Sequence, residues 1–222
     1  MRTRTILAAA AFAVAIIVPA QANAATLRVV TPTNTIFGAT PTQVGSARAY
    51  LDSKGKSHAL KRNTALGQLA AATAYTGSPL TAVYAADLCG ALITRIGGIS
   101  APKTGYWALV VNNNLAMVGA ADLILKKTDE VVWIADNDYS SKNGPFVYNL
   151  DAKDNGNGTV TFSGYKIGGP KPIAAAGTLL SVSGVLGVLL DAKGQATVSV
   201  AAPWTASIGS TSNIIGSETL NG

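Results

Sequence analysis

Two residue types on which many enzymes and disulfide-rich proteins depend are almost missing from this chain. Its 222 residues include one cysteine, Cys89, and one histidine, His58. A single cysteine excludes an intramolecular disulfide, and a single histidine excludes a multi-histidine metal site. The sequence also has no glycine-rich phosphate loop and no closely spaced pair of glutamates. It therefore predicts a protein that is not an enzyme, needs no cofactor or metal, and is stabilised by packing.

The two scarce residues have structural interpretations. Cys89 lies beside Leu88 and Ala91, and unpaired cysteine is usually buried. The alternative is a reactive thiol or a covalent link between two copies. His58 falls in a short predicted hairpin with no motif around it, so we expect it at the surface.

The first 24 residues have the three parts of an export signal in order. Arg2 and Arg4 give a positive start, an uncharged apolar run follows, and Ala22-Asn23-Ala24 offers small residues for cleavage. That run is too short to span a bilayer comfortably. We expect residues 1–24 to be a cleaved signal peptide, with no transmembrane segment afterwards and a secreted product, loosely associated with the cell surface at most.

Positive charge is concentrated in the first half of the chain. The formal net charge is +6, and residues 25–103 hold eight basic and two acidic side chains. Such an excess could attract anionic cell-wall polymers over long range, but a solvated basic face is the interpretation that we favour. No aromatic residues are interleaved with the basic ones, so nucleic acid is not expected as a partner. The partner, a protein or a cell-wall polymer, stays unidentified.

Hydrophobic patterning predicts one helix among many strands. Thr64 to about Tyr75 has apolar residues at helical spacing after a capping residue. A hairpin is predicted where residues 47–51 meet residues 57–60 across Asp52-Ser53-Lys54-Gly55-Lys56. Further strands are predicted at residues 92–96, 106–111 and 130–134, rich in β-branched and aromatic residues.

A polar stretch from Asp136 to Pro145 predicts a domain boundary. Beyond it, short strands alternate with turn residues, which is typical of a small β-sandwich. The predicted fold is α+β followed by all-β, with residues 25–140 forming a sheet packed on one helix and residues 145–222 forming the sandwich.

Several motifs resemble the carboxy-terminal domain family of transcobalamin and intrinsic factor, which also occurs in exported bacterial proteins. The motifs are Gly105-Tyr106-Trp107, Val111-Asn112, Gly119-Ala120-Ala121-Asp122, Leu125 and Asp129-Glu130-Val131-Val132-Trp133. The resemblance covers roughly residues 27–135 and implies a β-grasp-like sheet with one helix. Asn113 and Thr128 stand where the family usually has glycine, and asparagine tolerates the left-handed backbone that such a turn needs. Residues 178–217 resemble Ig-like repeats of exported bacterial proteins.

The aromatic strands supply the candidate ligand-binding residues: Tyr106, Trp107, Asn112 and Trp133. Alternation places Trp107, Leu109 and Val111 on one face of a strand and Tyr106 on the other. The tryptophans either fill the core beneath the helix or stack a flat or sugar-like ligand.

Three functions follow from this reading. The first is an exported, non-catalytic binding or cell-surface interaction module. The second, implied by the resemblance, is the ligand-capping component of a small-molecule carrier for a cobalamin-like compound, which would need a partner chain. The third is a cell-wall hydrolase with an active site assembled without a recognisable motif.

Overall fold

A computed structural model of the chain describes residues 25–31, 34–41, 46–85, 90–103, 105–136, 146–169, 171–211 and 214–222. The predicted signal peptide, Cys89 and residues 137–145 of the predicted boundary lie outside the described residues. Within them the protein is rich in β-structure and contains one α-helix, as the sequence predicts.

The amino-terminal part is built from ten strands and the helix. They are β1 (Thr26–Val30), β2 (Thr35–Pro41), β3 (Ala49–Leu51), β4 (Ser57–Ala59), α1 (Ala65–Tyr75), β5 (Leu80–Val83), β6 (Leu92–Ile96), β7 (Ile99–Ser100), β8 (Tyr106–Val111), β9 (Asn114–Leu115) and β10 (Glu130–Asp136).

Helix α1 begins and ends where its sequence signals lie. The Thr64 hydroxyl accepts a hydrogen bond from the Gly67 amide at 3.0 Å, which satisfies one of the free amides of the first turn. The helix ends at Tyr75 with Thr76 as its C-cap, and Gly77 follows in a left-handed conformation. The predicted helix is confirmed.

The main sheet has the strand order β2-β1-β10-β8-β9, in which β1 and β10 are parallel and the other pairs antiparallel. Trp107 and Leu109 point to the core beneath α1, whereas Ala108 and Val110 point away from it. The predicted alternation of β8 is therefore confirmed. Two small sheets, β3-β4 and β5-β6-β7, complete this part.

The carboxy-terminal part consists of strands alone within the described residues. They are β11 (Phe146–Asp154), β12 (Thr159–Ile167), β13 (Ile173–Ala174), β14 (Leu179–Val182), β15 (Val185–Leu189), β16 (Gln195–Ser199), β17 (Thr205–Ile208), β18 (Ile214–Ile215) and β19 (Leu220–Asn221). One sheet has the order β13-β12-β11-β18, with β16 also paired to β12, and the other has the order β15-β14-β17-β19. A core that includes Phe162, Leu180 and Ile208 involves strands of both sheets.

The two parts share a third core. Val30, Ala108, Val110, Val132 and Ile134 on the outer face of the main sheet pack with Val147 and Ile167 of the second part. The main sheet is therefore apolar on both faces, with the helix and small sheets on one side and the carboxy-terminal strands on the other. Burial of this face ties the two parts together.

A buried arginine lies in the same interface. Arg28 on β1 is 2% exposed and donates to the Tyr148 carbonyl at 3.0 Å and to the Gly216 carbonyl. Burial lowers its pKa, while the carboxylates of Glu218 and Glu130 act in the opposite direction. The strand that contributes to the main sheet is thus bonded to two segments of the carboxy-terminal part.

Two turns in different parts of the chain have the same construction. In Asp52-Ser53-Lys54-Gly55-Lys56 the aspartate Oδ1 accepts from the amides of Lys54 and Lys56, each at 2.9 Å. In the turn at Asp191 it accepts from the amides of Lys193 and Gln195, each at 2.8 Å. These bonds lower the pKa of both carboxyl groups, with the His58 side chain the largest cause at Asp52.

Helix α1 is far too short to cross a lipid bilayer, and the part of the chain that the structure describes contains no other helix that could do so.

Candidate functional site

A half-open groove of about 530 Å³ lies between the β6–β7 hairpin and the start of β8. Its lining is formed by Thr81, Leu92, Ile93, Thr94, Arg95, Ser100, Ala101, Pro102, Gly105 and Tyr106. The groove is wide enough for a small ligand or one unit of a polymer, since ligand sites usually occupy ~300–1,000 Å³.

A tight turn gives the groove its shape. Gly97 and Gly98 both have positive φ, which reverses the chain between β6 and β7. The hairpin is extended by a hydrogen bond from the Ala101 amide to the Thr94 carbonyl at 2.8 Å. The segment that follows then leads to Tyr106, so hairpin and strand face each other across the groove.

The lining residues offer hydrogen bonding and one positive charge. The Thr94 hydroxyl donates to the Thr81 carbonyl at 3.1 Å, which orients it, and the Ser100 hydroxyl lies 3.4 Å from Nη2 of Arg95. None of the lining residues is an aspartate, glutamate, histidine or cysteine. The polar side chains of the lining are therefore hydroxyl groups and one guanidinium.

The four predicted ligand-binding residues do not come together. Tyr106 lines the groove. Trp107 and Trp133, 5% and 2% exposed, lie in the core beneath α1. In this arrangement a ligand reaches neither ring, and their binding role stays a prediction.

Asn112 holds two segments of the main sheet together. Its Nδ2 donates to the Asp129 carboxylate at 2.8 Å, and its Oδ1 accepts from the Glu130 amide at 2.9 Å. Asn112 and Asn113 have φ values of 49° and 67°, the left-handed geometry of a two-residue hairpin turn. Asn113 therefore adopts the left-handed conformation at a position where the family that the sequence resembles usually has glycine.

The expectation that His58 is a surface residue is wrong. Its side chain is 12% exposed, and its ring stacks on Tyr84 with centroids 4.2 Å apart and on Tyr50 at 5.2 Å. Its Nε2 lies 2.9 Å from Oδ2 of Asp52. The sequence around the hairpin did not predict this arrangement, because Tyr84 lies on a different segment of the chain, directly after β5.

Sequence reasoning also missed most of the groove. Thr94, Arg95 and Ser100 were not among the predicted site residues. The available signal was the Gly97-Gly98 turn that brings their strands together. For metal binding, no three histidine, cysteine, aspartate or glutamate side chains gather within the described ranges.

Comparison with known proteins gives one match. Residues 68–137 match a family described as a domain of unknown function, DUF4430, which is a transcobalamin-like family. The match covers β5 to β10, including the groove, and most of helix α1. No curated protein and no solved structure matches the chain.

Proposed function

We propose that this chain, similar over residues 68–137 to a transcobalamin-like family, is an exported, non-catalytic binding module that acts outside the cell or at its surface. In this proposal the groove beside Tyr106 holds the ligand. The amino-terminal part is a β-grasp-like binding domain, and the carboxy-terminal part is an Ig-like sandwich that presents it.

The observation that carries the proposal is the composition of the groove. It combines apolar residues, including Leu92 and Ile93, with hydroxyl groups and a tyrosine, and its described lining has no aspartate, glutamate, histidine or cysteine. Saccharides and similar polyols are recognised by such combinations, because their C–H faces pack on apolar or aromatic side chains while their hydroxyls form hydrogen bonds. A cell-wall polymer is therefore the ligand class that we favour.

The shared core supports a presenting role for the second part. Buried apolar residues and Arg28 fix the carboxy-terminal strands against the outer face of the main sheet. The groove lies on the hairpin side, formed with strands β5 to β7 and the start of β8. The described lining includes no residue of the second part, although Tyr106 in that lining also packs against the shared core.

A blocking substitution tests the proposal. Ser100→Trp places a large ring in the groove, whereas Ser199→Trp adds the same ring to an exposed position of β16 outside it. We expect the wild type and Ser199→Trp to co-sediment with insoluble cell-wall polysaccharide. Ser100→Trp should lose at least about tenfold in affinity.

Two results would contradict the proposal. Equal binding by Ser100→Trp would exclude the groove as the site, and release of soluble products from the wall material would show an enzyme. Circular dichroism of both variants should match the wild type, so that a loss of binding is not a loss of folding.

A second candidate is the ligand-capping component of a cobalamin-like carrier. The match of residues 68–137 to a transcobalamin-like family favours it. Titration with a corrinoid, followed by quenching of the intrinsic tryptophan fluorescence of the protein, tests this function. Saturable quenching by the corrinoid but not by wall polysaccharide would favour the carrier over the wall-binding module.

A further inference from the structure

We propose that the groove selects an anionic polysaccharide, a polymer that bears carboxylate or phosphate groups, and that Arg95 is the residue that recognises its charge. This inference rests on the proposed binding function and adds the chemical class of the ligand.

The guanidinium of Arg95 is largely uncommitted. It lies on β6 at an exposed position of the groove lining, and its contact to Ser100 is long at 3.4 Å. A guanidinium has five N–H donors arranged as a planar fork that matches a carboxylate or phosphate. Most of these donors are therefore available to a ligand in the groove.

Two other cations of the amino-terminal part are already paired. Arg28 is buried against two carbonyl oxygens and the carboxylate of Glu218. Lys61 Nζ lies 2.8 Å from the carboxylate of Asp122. Within the described residues, no carboxylate lies within ion-pair distance of Arg95, and none lines the groove. An anion entering the groove would meet the charge of Arg95 without a competing internal partner.

The neighbouring groups fit the rest of such a ligand. The Thr94 hydroxyl is held by the Thr81 carbonyl, so its oxygen is oriented and remains free to accept. The Ser100 hydroxyl can donate while its oxygen accepts from Arg95. Ala101 and Pro102 give a small apolar surface beside these groups, suited to the C–H face of a sugar ring.

A pair of matched substitutions separates this charge from the general basicity of the chain. Arg95→Gln removes the cation in the groove, and Arg48→Gln removes an exposed cation elsewhere in the same part. Arg95→Lys keeps the charge but loses the planar fork. The probes are polygalacturonate for carboxylate, poly(glycerol phosphate) for phosphate and dextran as a neutral polymer, measured by isothermal titration calorimetry.

We expect the wild type to bind at least one anionic probe and to bind dextran at least about tenfold more weakly. Arg95→Gln should lose about tenfold or more in affinity for that probe and show a weaker salt dependence. Arg95→Lys should lie between the two, and Arg48→Gln should stay within about twofold of the wild type. The anionic probe that binds identifies carboxylate or phosphate as the source of the charge.

The inference is overturned if dextran binds as well as the anionic probes, if neither anionic probe binds, or if Arg95→Gln binds like the wild type. The last result, together with loss of binding in Ser100→Trp, would leave the groove as the site and reject only the charge recognition. Unchanged binding in both variants would reject the proposed groove itself.

Discussion

Arg28 and Glu218 form an ion pair between the first strand of the main sheet and the last segment of the chain, with Arg28 Nε 3.0 Å from Glu218 Oε1. The two residues are 190 positions apart in the sequence. Arg28 is buried, whereas the Glu218 side chain is 31% exposed. The carboxy-terminal segment therefore closes over a buried cation that belongs to the other part of the protein.

Replacing Arg28 by methionine should destabilise the whole protein. Arg28→Met keeps much of the side-chain volume but leaves the carbonyls of Tyr148 and Gly216 and the carboxylate of Glu218 without their donor. Loss of one partner of a buried ion pair typically costs about 3–5 kcal/mol. Urea unfolding monitored by circular dichroism should show this loss in the free energy of unfolding.

Glu218→Gln is the matched control for this pair. Its side chain is partly exposed, so water replaces some of the lost interaction and the free-energy loss should be smaller than in Arg28→Met. The double variant should lose less free energy of unfolding than the sum of the two single-variant losses, because both substitutions remove the same interaction. Strictly additive losses would contradict a direct coupling between Arg28 and Glu218.

Local secondary structure was easier to predict from the sequence than the packing of the two parts against each other. Thr64 and the apolar spacing after it define α1, and the alternation of β8 places Trp107 and Leu109 correctly. The other face of β8, with Ala108 and Val110, is also apolar, and this was the available sign that both faces of the sheet are buried. Which strands cover that face depends on contacts with Val147 and Ile167, and no local pattern encodes such distant contacts.

The candidate site was predictable only in part for the same reason. Tyr106 was singled out from its strand, whereas Arg95 and Ser100 become site residues through the turn at Gly97 and Gly98, which brings β6 and β7 together. The ring stack at His58 likewise depends on Tyr84, which follows a different strand. Spacing along one segment carries no information on such pairs.

The Glu130 carboxyl group should contribute more to the free energy of unfolding at acidic pH than at higher pH. Burial raises its pKa above the usual 4.5, Asp151 acts in the same direction, and the hydrogen bond from Asn149 and the charge of Arg28 oppose this. A carboxyl group with a raised folded-state pKa contributes stability that is fully present below its usual pKa and is lost as the pH rises through the folded value. The Glu130 contribution should therefore decline as the pH rises above 4.5.

Urea unfolding of the wild type and Glu130→Gln across this pH range checks the sign. Relative to the wild type, Glu130→Gln should gain stability as the pH rises, because glutamine cannot become charged. Asp52→Asn provides the opposite case: the Asp52 pKa is lowered, so the wild type loses that contribution as the pH falls below the usual 3.8. A pH-independent difference between Glu130→Gln and the wild type would contradict the burial of this carboxyl group.

The two similar aspartate turns allow a matched glycine substitution. Gly55 and Gly194 occupy the same turn position with φ of 77° and 73°, so alanine pays a similar backbone cost of about 1–2 kcal/mol at each. A Cβ at Gly55 meets nothing within 4 Å, but one at Gly194 would lie 2.6 Å from the Gly164 carbonyl oxygen. Gly194→Ala should therefore lose about 1–3 kcal/mol more than Gly55→Ala. Equal losses in thermal and urea unfolding would contradict this packing.

Gly67 provides a test of how closely α1 packs, because glycine is normally unfavourable inside a helix. Gly67→Ala should gain up to about 1 kcal/mol from helix propensity alone. In this protein a Cβ at Gly67 would clash with the Ser46 side chain and lie 2.8 Å from the Ala47 carbonyl oxygen. That carbonyl belongs to the backbone, and the Ala47 amide already donates to the Gly67 carbonyl at 2.9 Å, so the segment cannot retreat without losing a hydrogen bond.

We therefore expect Gly67→Ala to lower the free energy of unfolding by about 1–3 kcal/mol, the usual cost of overpacking, despite its better helix propensity. Ala74→Gly, at an exposed position in the last turn of the same helix, should cost up to about 1 kcal/mol and shows that the helix responds normally to propensity. If Gly67→Ala instead stabilised the protein, the segment at Ser46 and Ala47 would not lie against α1. The close approach that positions the β3–β4 hairpin, and with it the His58 ring stack, would then be wrong.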